Sequence, residues 1–207
     1  MPPPAYWYCQ LLLGEVSATQ VAAEFRYDTS NGSFILNYGQ LDPAYLSFDD
    51  GVSTIKEVVD NSNSKSRVGF WYRKPANTGE FSVNLETSFG LRLSDGLSQT
   101  NTPDAIDWQR TNTRKIGAIW KDDCYSSFFL GQGSMSSNGA SSQDLSGTTL
   151  VLYNSLGDTA GAFLFRRTAG AFSTKTIGQA FGSYAGSRKA RVRYDTASIG
   201  GVLQPSA

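Results

Sequence analysis

The chain's 207 residues include no histidine, which removes Ser-His-Asp and Cys-His catalysis, His-based zinc sites and histidine pH switching together. Its two cysteines, Cys9 and Cys124, lie far apart, and Asp122 and Asp123 beside Cys124 would raise that thiol's pKa. Both read as incidental. "GQGSMSSNG" (131–139) has Ser136 where a dinucleotide fingerprint needs its third glycine, and no helix opens after it. "DDG" at 49–51 and Asp122–Asp123 offer oxygens to calcium, but Asp-Gly is first of all a turn signal. "RKARVR" (188–193) sets its charges on alternate positions, as a strand wall does rather than a nucleic-acid patch. Lys plus Arg (18) balance Asp plus Glu (18), so no net field recruits nucleic acid or an anionic membrane. Paired carboxylates, an activated nucleophile and a phosphate loop are all missing. The chain reads as a non-enzyme without a cofactor.

The elements that would carry these residues alternate with period two. In "EFSVNLETSFGLRL" (80–93), Phe81, Val83, Leu85, Phe89 and Leu91 share one phase, with Thr87 its only polar member; Ser82, Asn84, Glu86, Ser88, Gly90 and Arg92 share the other. That predicts a strand with one oily and one wet side. Further strands are predicted at 33–48 (interrupted by Pro43), 65–74, 113–121, 125–132 and 188–195. The connections 49–64, 94–112 and 133–187 are long, and 75–79, 122–124 and 196–201 are short. The predicted fold class is therefore all-β, an antiparallel up-and-down meander. Such a meander gathers its long loops at one end and its short turns at the other, as transmembrane β-barrels do. Phe34, Phe48, Tyr72, Phe81, Trp120, Tyr125 and Tyr194 fall at strand ends, where aromatic girdles form. No stretch approaches the length of a transmembrane helix. The competing expectation is a secreted, soluble all-β module that binds glycans through Trp71, Trp108 or Trp120.

Particular blocks carry a resemblance to a family. "DNSNSKSRVGF" (60–70), "LGQGSMSSNGASSQDLSGTTLVLYNS" (130–155) and "SRKARVRYDTASIGG" (187–201) resemble the Gram-negative outer-membrane porins of the trimeric, general-diffusion kind. "YGQLDPAYLSFDDG" (38–51) is similar to that family's first strand and loop. The resemblance runs from about residue 33 to 201.

It implies a barrel of many antiparallel strands around an aqueous channel, open to small hydrophilic solutes or ions by passive diffusion. It also implies an outer-membrane location, contact with outer-membrane lipid and a homotrimer. A long loop, here 133–187, would fold inward as the constriction. Asp144 and Asp158 on that loop would face Arg67, Arg73, Glu86, Lys115, Lys189, Arg191 and Arg193 on the wall, and such opposed charges select permeants. Two departures stand out. Residues 1–32 form an atypical start without a standard signal peptide, and 202–207 look aberrant after the barrel region 33–201. The chain is thus expected to be the N-terminal portion of such a porin.

Overall fold

The computed structural model describes residues 21–122, 126–137, 155–167, 170–182, 188–197 and 205–206. Seven strands form one antiparallel sheet: β1 (Val21–Asp28), β2 (Phe34–Leu41), β5 (Arg67–Ala76), β6 (Gly79–Ser88), β7 (Thr113–Asp122), β8 (Ser127–Gly133) and β11 (Lys189–Asp195). They lie side by side in that order, each antiparallel to the next. The protein is all-β with a few single-turn helices, and among the described residues β1 and β11 are the outermost strands of its main sheet.

Because neighbours are antiparallel, successive connections alternate between the ends of the sheet. The short ones (29–33, 77–78 and 123–126) share one end, and the long ones (42–66, 89–112 and 134–188) share the other. The long connections carry secondary structure of their own. The first holds the hairpin of β3 (Pro43–Asp49) and β4 (Thr54–Asp60). The third holds α1 (Leu156–Ala160), the hairpin of β9 (Leu164–Arg166) and β10 (Phe172–Thr176), and α2 (Ile177–Ala180).

Besides β4, β9 and β10, which lie in stretches expected to be connections, strand placement departs from expectation in three places. β1 lies within the segment that was expected to be atypical; "VAAEFRYD" alternates Phe25 and Tyr27 against Glu24, Arg26 and Asp28. The strand expected at 33–48 is two strands that part at Asp42, the second leaving the sheet to pair with β4. The strand expected at 80–93 ends at Ser88, and Gly90 then turns with φ 68°.

The buried apolar core belongs to the long connections. Among the described residues it consists of Val59, Leu97, Ala160 and Phe163, flanked by Ala44, Leu46, Phe48, Ile55 and Ile177. Phe48 stacks on Phe163 with ring centroids 3.9 Å apart. Polar ties hold the layer together. Ala162 N donates to Asp95 O (2.9 Å), Gln99 Nε2 donates to Leu164 O (2.8 Å), and Asn63 Nδ2 donates to Thr159 Oγ1 (3.0 Å). The described part of 133–187 therefore docks on the other two long connections.

The sheet itself is sorted the other way. On β6, Ser82 (4% exposed), Asn84 (3%), Glu86 (4%) and Ser88 (4%) are buried. Across the opposite face, Val68 (42%), Ile116 (51%), Leu130 (54%) and Val192 (63%) are open. The register lines up Phe81, Trp120, Phe128 and Tyr194 in one exposed aromatic row across β6, β7, β8 and β11, at the short-turn end. Phe34 and Phe48 are not in that row. Phe34 lies under the Arg26 guanidinium at 3.9 Å on the polar face, and Phe48 belongs to the loop core. Tyr125 lies outside the described residues.

Candidate functional site

The polar face is where ionisable groups converge, and Glu86 is its hub. Its carboxylate accepts hydrogen bonds from Tyr38 Oη (2.7 Å), Lys115 Nζ (3.0 Å) and Arg114 Nε. Asn84 Nδ2 donates to Tyr38 Oη (3.1 Å) and to Phe70 O (3.2 Å). Two features of backbone make this possible. The β6–β7 register slips between Glu86 and Thr87, so consecutive residues Arg114 and Lys115 both reach one carboxylate. That is what a bulge does, setting two residues against one. Gly69 lies opposite both Tyr38 and Glu86, and a Cβ there would come within 2.5 Å of Tyr38 Cζ. Only glycine lets the phenol lie flat across β5 to the carboxylate.

Around this hub the face carries cations in rows. Arg73 lies 3.9 Å from Glu80 and 5.0 Å over the Trp71 ring. Arg193 Nε pairs with Asp195 at 2.7 Å. Arg191 and Arg193 both lie over the Phe129 ring, at 5.4 and 5.2 Å. Arg67 Nη1 donates to Lys65 O (3.3 Å), and neither Arg67 nor Arg191 has a carboxylate within ion-pair distance among the described residues. Lys189 is exposed at the start of β11.

The structure brings Arg67, Arg73, Glu86, Lys115, Lys189, Arg191 and Arg193 onto this one face. It does not bring Asp158 to them: that residue is exposed on α1, in the loop layer, with no ion pair among the described residues. Asp144 lies outside the described residues, as do Cys9 and Cys124. Sequence reasoning missed Arg114, because the bulge breaks the alternation that identified the others. It also missed Tyr38, whose partner is 48 residues away in the chain, and Arg26 and Glu24 on the unexpected β1.

Among the described residues, the acids at 49–51 do not assemble a calcium site, and Asp123 of the other acidic pair lies outside the described residues. Asp49 accepts from Gly51 N and Thr54 Oγ1 at 2.7 Å each, and Asp50 accepts from Val52 N and Ser53 N, so both close the hairpin turn. Asp50 also pairs with Arg166 at 2.6 Å, which holds its carboxyl well below the usual range. Trp71 lies on the polar face and Trp120 on the apolar one, while Trp108 sits in the second long connection. They do not share a platform for a sugar.

Chemically, the face presents fixed guanidinium and ammonium groups, with buried Glu86 tying down Arg114 and Lys115 and buried Asp195 tying down Arg193. No group of three potential metal ligands occurs among the described residues. Such a surface can hold and orient ions. No family model, curated protein or solved structure matches this chain.

Proposed function

We propose that the chain forms part of the wall of an outer-membrane porin of the general-diffusion kind, with the polar face lining an aqueous channel for small hydrophilic solutes and ions. The observation that carries this reading is the inverted sorting of the sheet. Ser82, Asn84, Glu86 and Ser88 are buried while Val68, Ile116, Leu130 and Val192 face outward. In water that arrangement exposes a large apolar surface and gains nothing. In a bilayer it puts the oily side on lipid and the charged side on a lumen. The aromatic row at the short-turn end and the sorting of long and short connections support the same reading. The excess of Arg and Lys on the face favours anions.

The open edges set a condition. Apart from the bridge from Asp195 to Ser206, β1 and β11 each leave one side unpaired among the described residues, and in lipid each unpaired backbone group costs several kcal/mol. A working wall therefore joins these edges through further strands into a closed barrel, whose protomers assemble as a trimer in the resembling family. The loop layer sits at the mouth, and residues 133–187 supply its constricting part.

Refolding into detergent together with the strands that close its edges, and reconstitution of that barrel in planar bilayers, test the reading. It expects a folded form that migrates differently on gels before and after boiling, and discrete conductance steps that favour anions. A monomer that unfolds cooperatively in plain buffer, with no conductance, would sink it.

A further inference from the structure

One patch of the polar face is not dominated by charge. Gly117 of β7 stands opposite Gly131 of β8, and where these two side chains are missing the face sinks into a half-open depression of about 180 Å³. Trp71, Ile119, Phe129, Asn84 and Arg191 are among the residues that line it. Gly131 has φ 121°, and a Cβ there would run into the Ile116 carbonyl, so the backbone itself keeps the dent open.

Of the three cations that line the depression, Arg191 is the one without a carboxylate partner among the described residues. Lys115 is committed to Glu86 at 3.0 Å and Arg193 to Asp195 at 2.7 Å. Arg191 Nη1 donates only a long 3.4 Å bond to Gly131 O, and its Nε is buried without an acceptor. A guanidinium in that state takes a carboxylate more readily than one already paired. Beside it, Trp71 and Phe129 offer aromatic surface on a wall where a purely ionic filter needs none, and rings stack with centroids about 4.5–7 Å apart.

We propose that this depression is a binding subsite for small aromatic carboxylates, the carboxylate on Arg191 and the ring against Phe129 and Trp71. The proposal rests on the reading of this face as solute-accessible wall. It competes with a plainer one, in which the rings only cushion the guanidiniums that lie over them.

The test is calorimetric titration of the full chain, refolded in detergent micelles, with benzoate, acetate and benzyl alcohol, each against a micelle blank. The proposal expects benzoate to bind at least about tenfold tighter than either of the others, a single good ion pair or stacked ring each supplying roughly that factor. Arg191→Gln should bring benzoate down to benzyl alcohol, and Phe129→Leu should weaken benzoate several-fold while leaving acetate unchanged. Equal binding of benzoate and acetate in the unaltered chain overturns the aromatic subsite, and equal binding of benzoate and benzyl alcohol overturns the role of Arg191. Bilayer recordings separate the two readings. Conductance without a benzoate preference keeps the channel and removes the subsite, whereas a benzoate preference without conductance keeps the subsite and removes the channel.

Discussion

The seven-stranded sheet and the layer of long connections at its end obey opposite rules. In the layer, Phe163 and Leu97 are fully buried in an apolar core, although Val52, Val58, Ile106 and Leu156 stand exposed at its surface. In the sheet, serines, an asparagine and a glutamate are buried while valine, isoleucine and leucine are open. The difference teaches that burial in the sheet and in the layer follows different patterns; on the reading proposed above, the layer meets water and the outer face of the sheet meets lipid.

The largest effect should come from breaking the layer. Phe163→Ala removes the ring stacked on Phe48 and should destabilise the layer by about 3–5 kcal/mol. Amide exchange in 43–60 and 156–182 should accelerate while the amides of β5 to β8 stay protected. If sheet and layer lose protection together, they are one cooperative unit and the contrast is false.

Next comes a charge on the outer face. Ile116→Arg should cost about 2–4 kcal/mol in a bilayer if its position is near the midplane, measured by denaturant unfolding from vesicles. At an exposed site in water the same change stays within about 0.5 kcal/mol. This substitution sharpens the comparison most, because the two solvents give different answers at one residue. A neutral result in vesicles would return the outer face to water.

On the inner face, Arg114→Ala should cost about 1–3 kcal/mol, since it strips one donor from the buried Glu86 and leaves Lys115 and Tyr38 to hold it. Replacing the exposed Lys189 by Ala should be close to neutral for stability. Equal losses at both positions would mean that the hub is no more than a solvated charge pair.

How far the sequence showed all this depends on how local the cause is. The period-two pattern of β5, β6, β7 and β11 needs no partner to be read, and the wall charges on those strands follow from it. β1 carries the same signal in "VAAEFRYD" but follows a stretch with no comparable pattern, which leaves the signal isolated in the sequence. β4 was hidden inside a polar connection, because "TIKEVVD" makes sense as a strand only once β3 leaves the sheet to meet it. Arg114 was invisible for a stricter reason: a bulge breaks the parity rule, and only the register shows where it falls. The loop core joins residues from three connections, and no spacing in the sequence announces that Phe48 will meet Phe163.

The smallest effect separates acids within the layer by sign. Asp50 is held below its ordinary range, first by its hydrogen bond with Arg166 and then by Ser53 N. A lowered folded pKa contributes stability above the ordinary Asp value of about 3.9, and loses it as pH falls through the lowered value. Asp60 is shifted the other way, because burial raises its carboxyl against the hydrogen bonds from Ser66. Burial raises Asp42 too, helped by the charge of Asp60. A raised folded pKa contributes stability below the ordinary value, which is lost as pH rises through the raised one. On acidification from neutral the layer should therefore first tighten, as Asp60 and Asp42 take up protons. It should then loosen below the ordinary Asp value, as Asp50 lets go of Arg166. Protection factors for 164–166 and 172–176, followed against pH, should pass through a maximum. Asp50→Asn should flatten the acid side of that maximum and Asp60→Asn the other side. An acid limb that survives Asp50→Asn would mean that the tie to Arg166 is incidental, and that the layer's hold on the third connection lies in its apolar core alone.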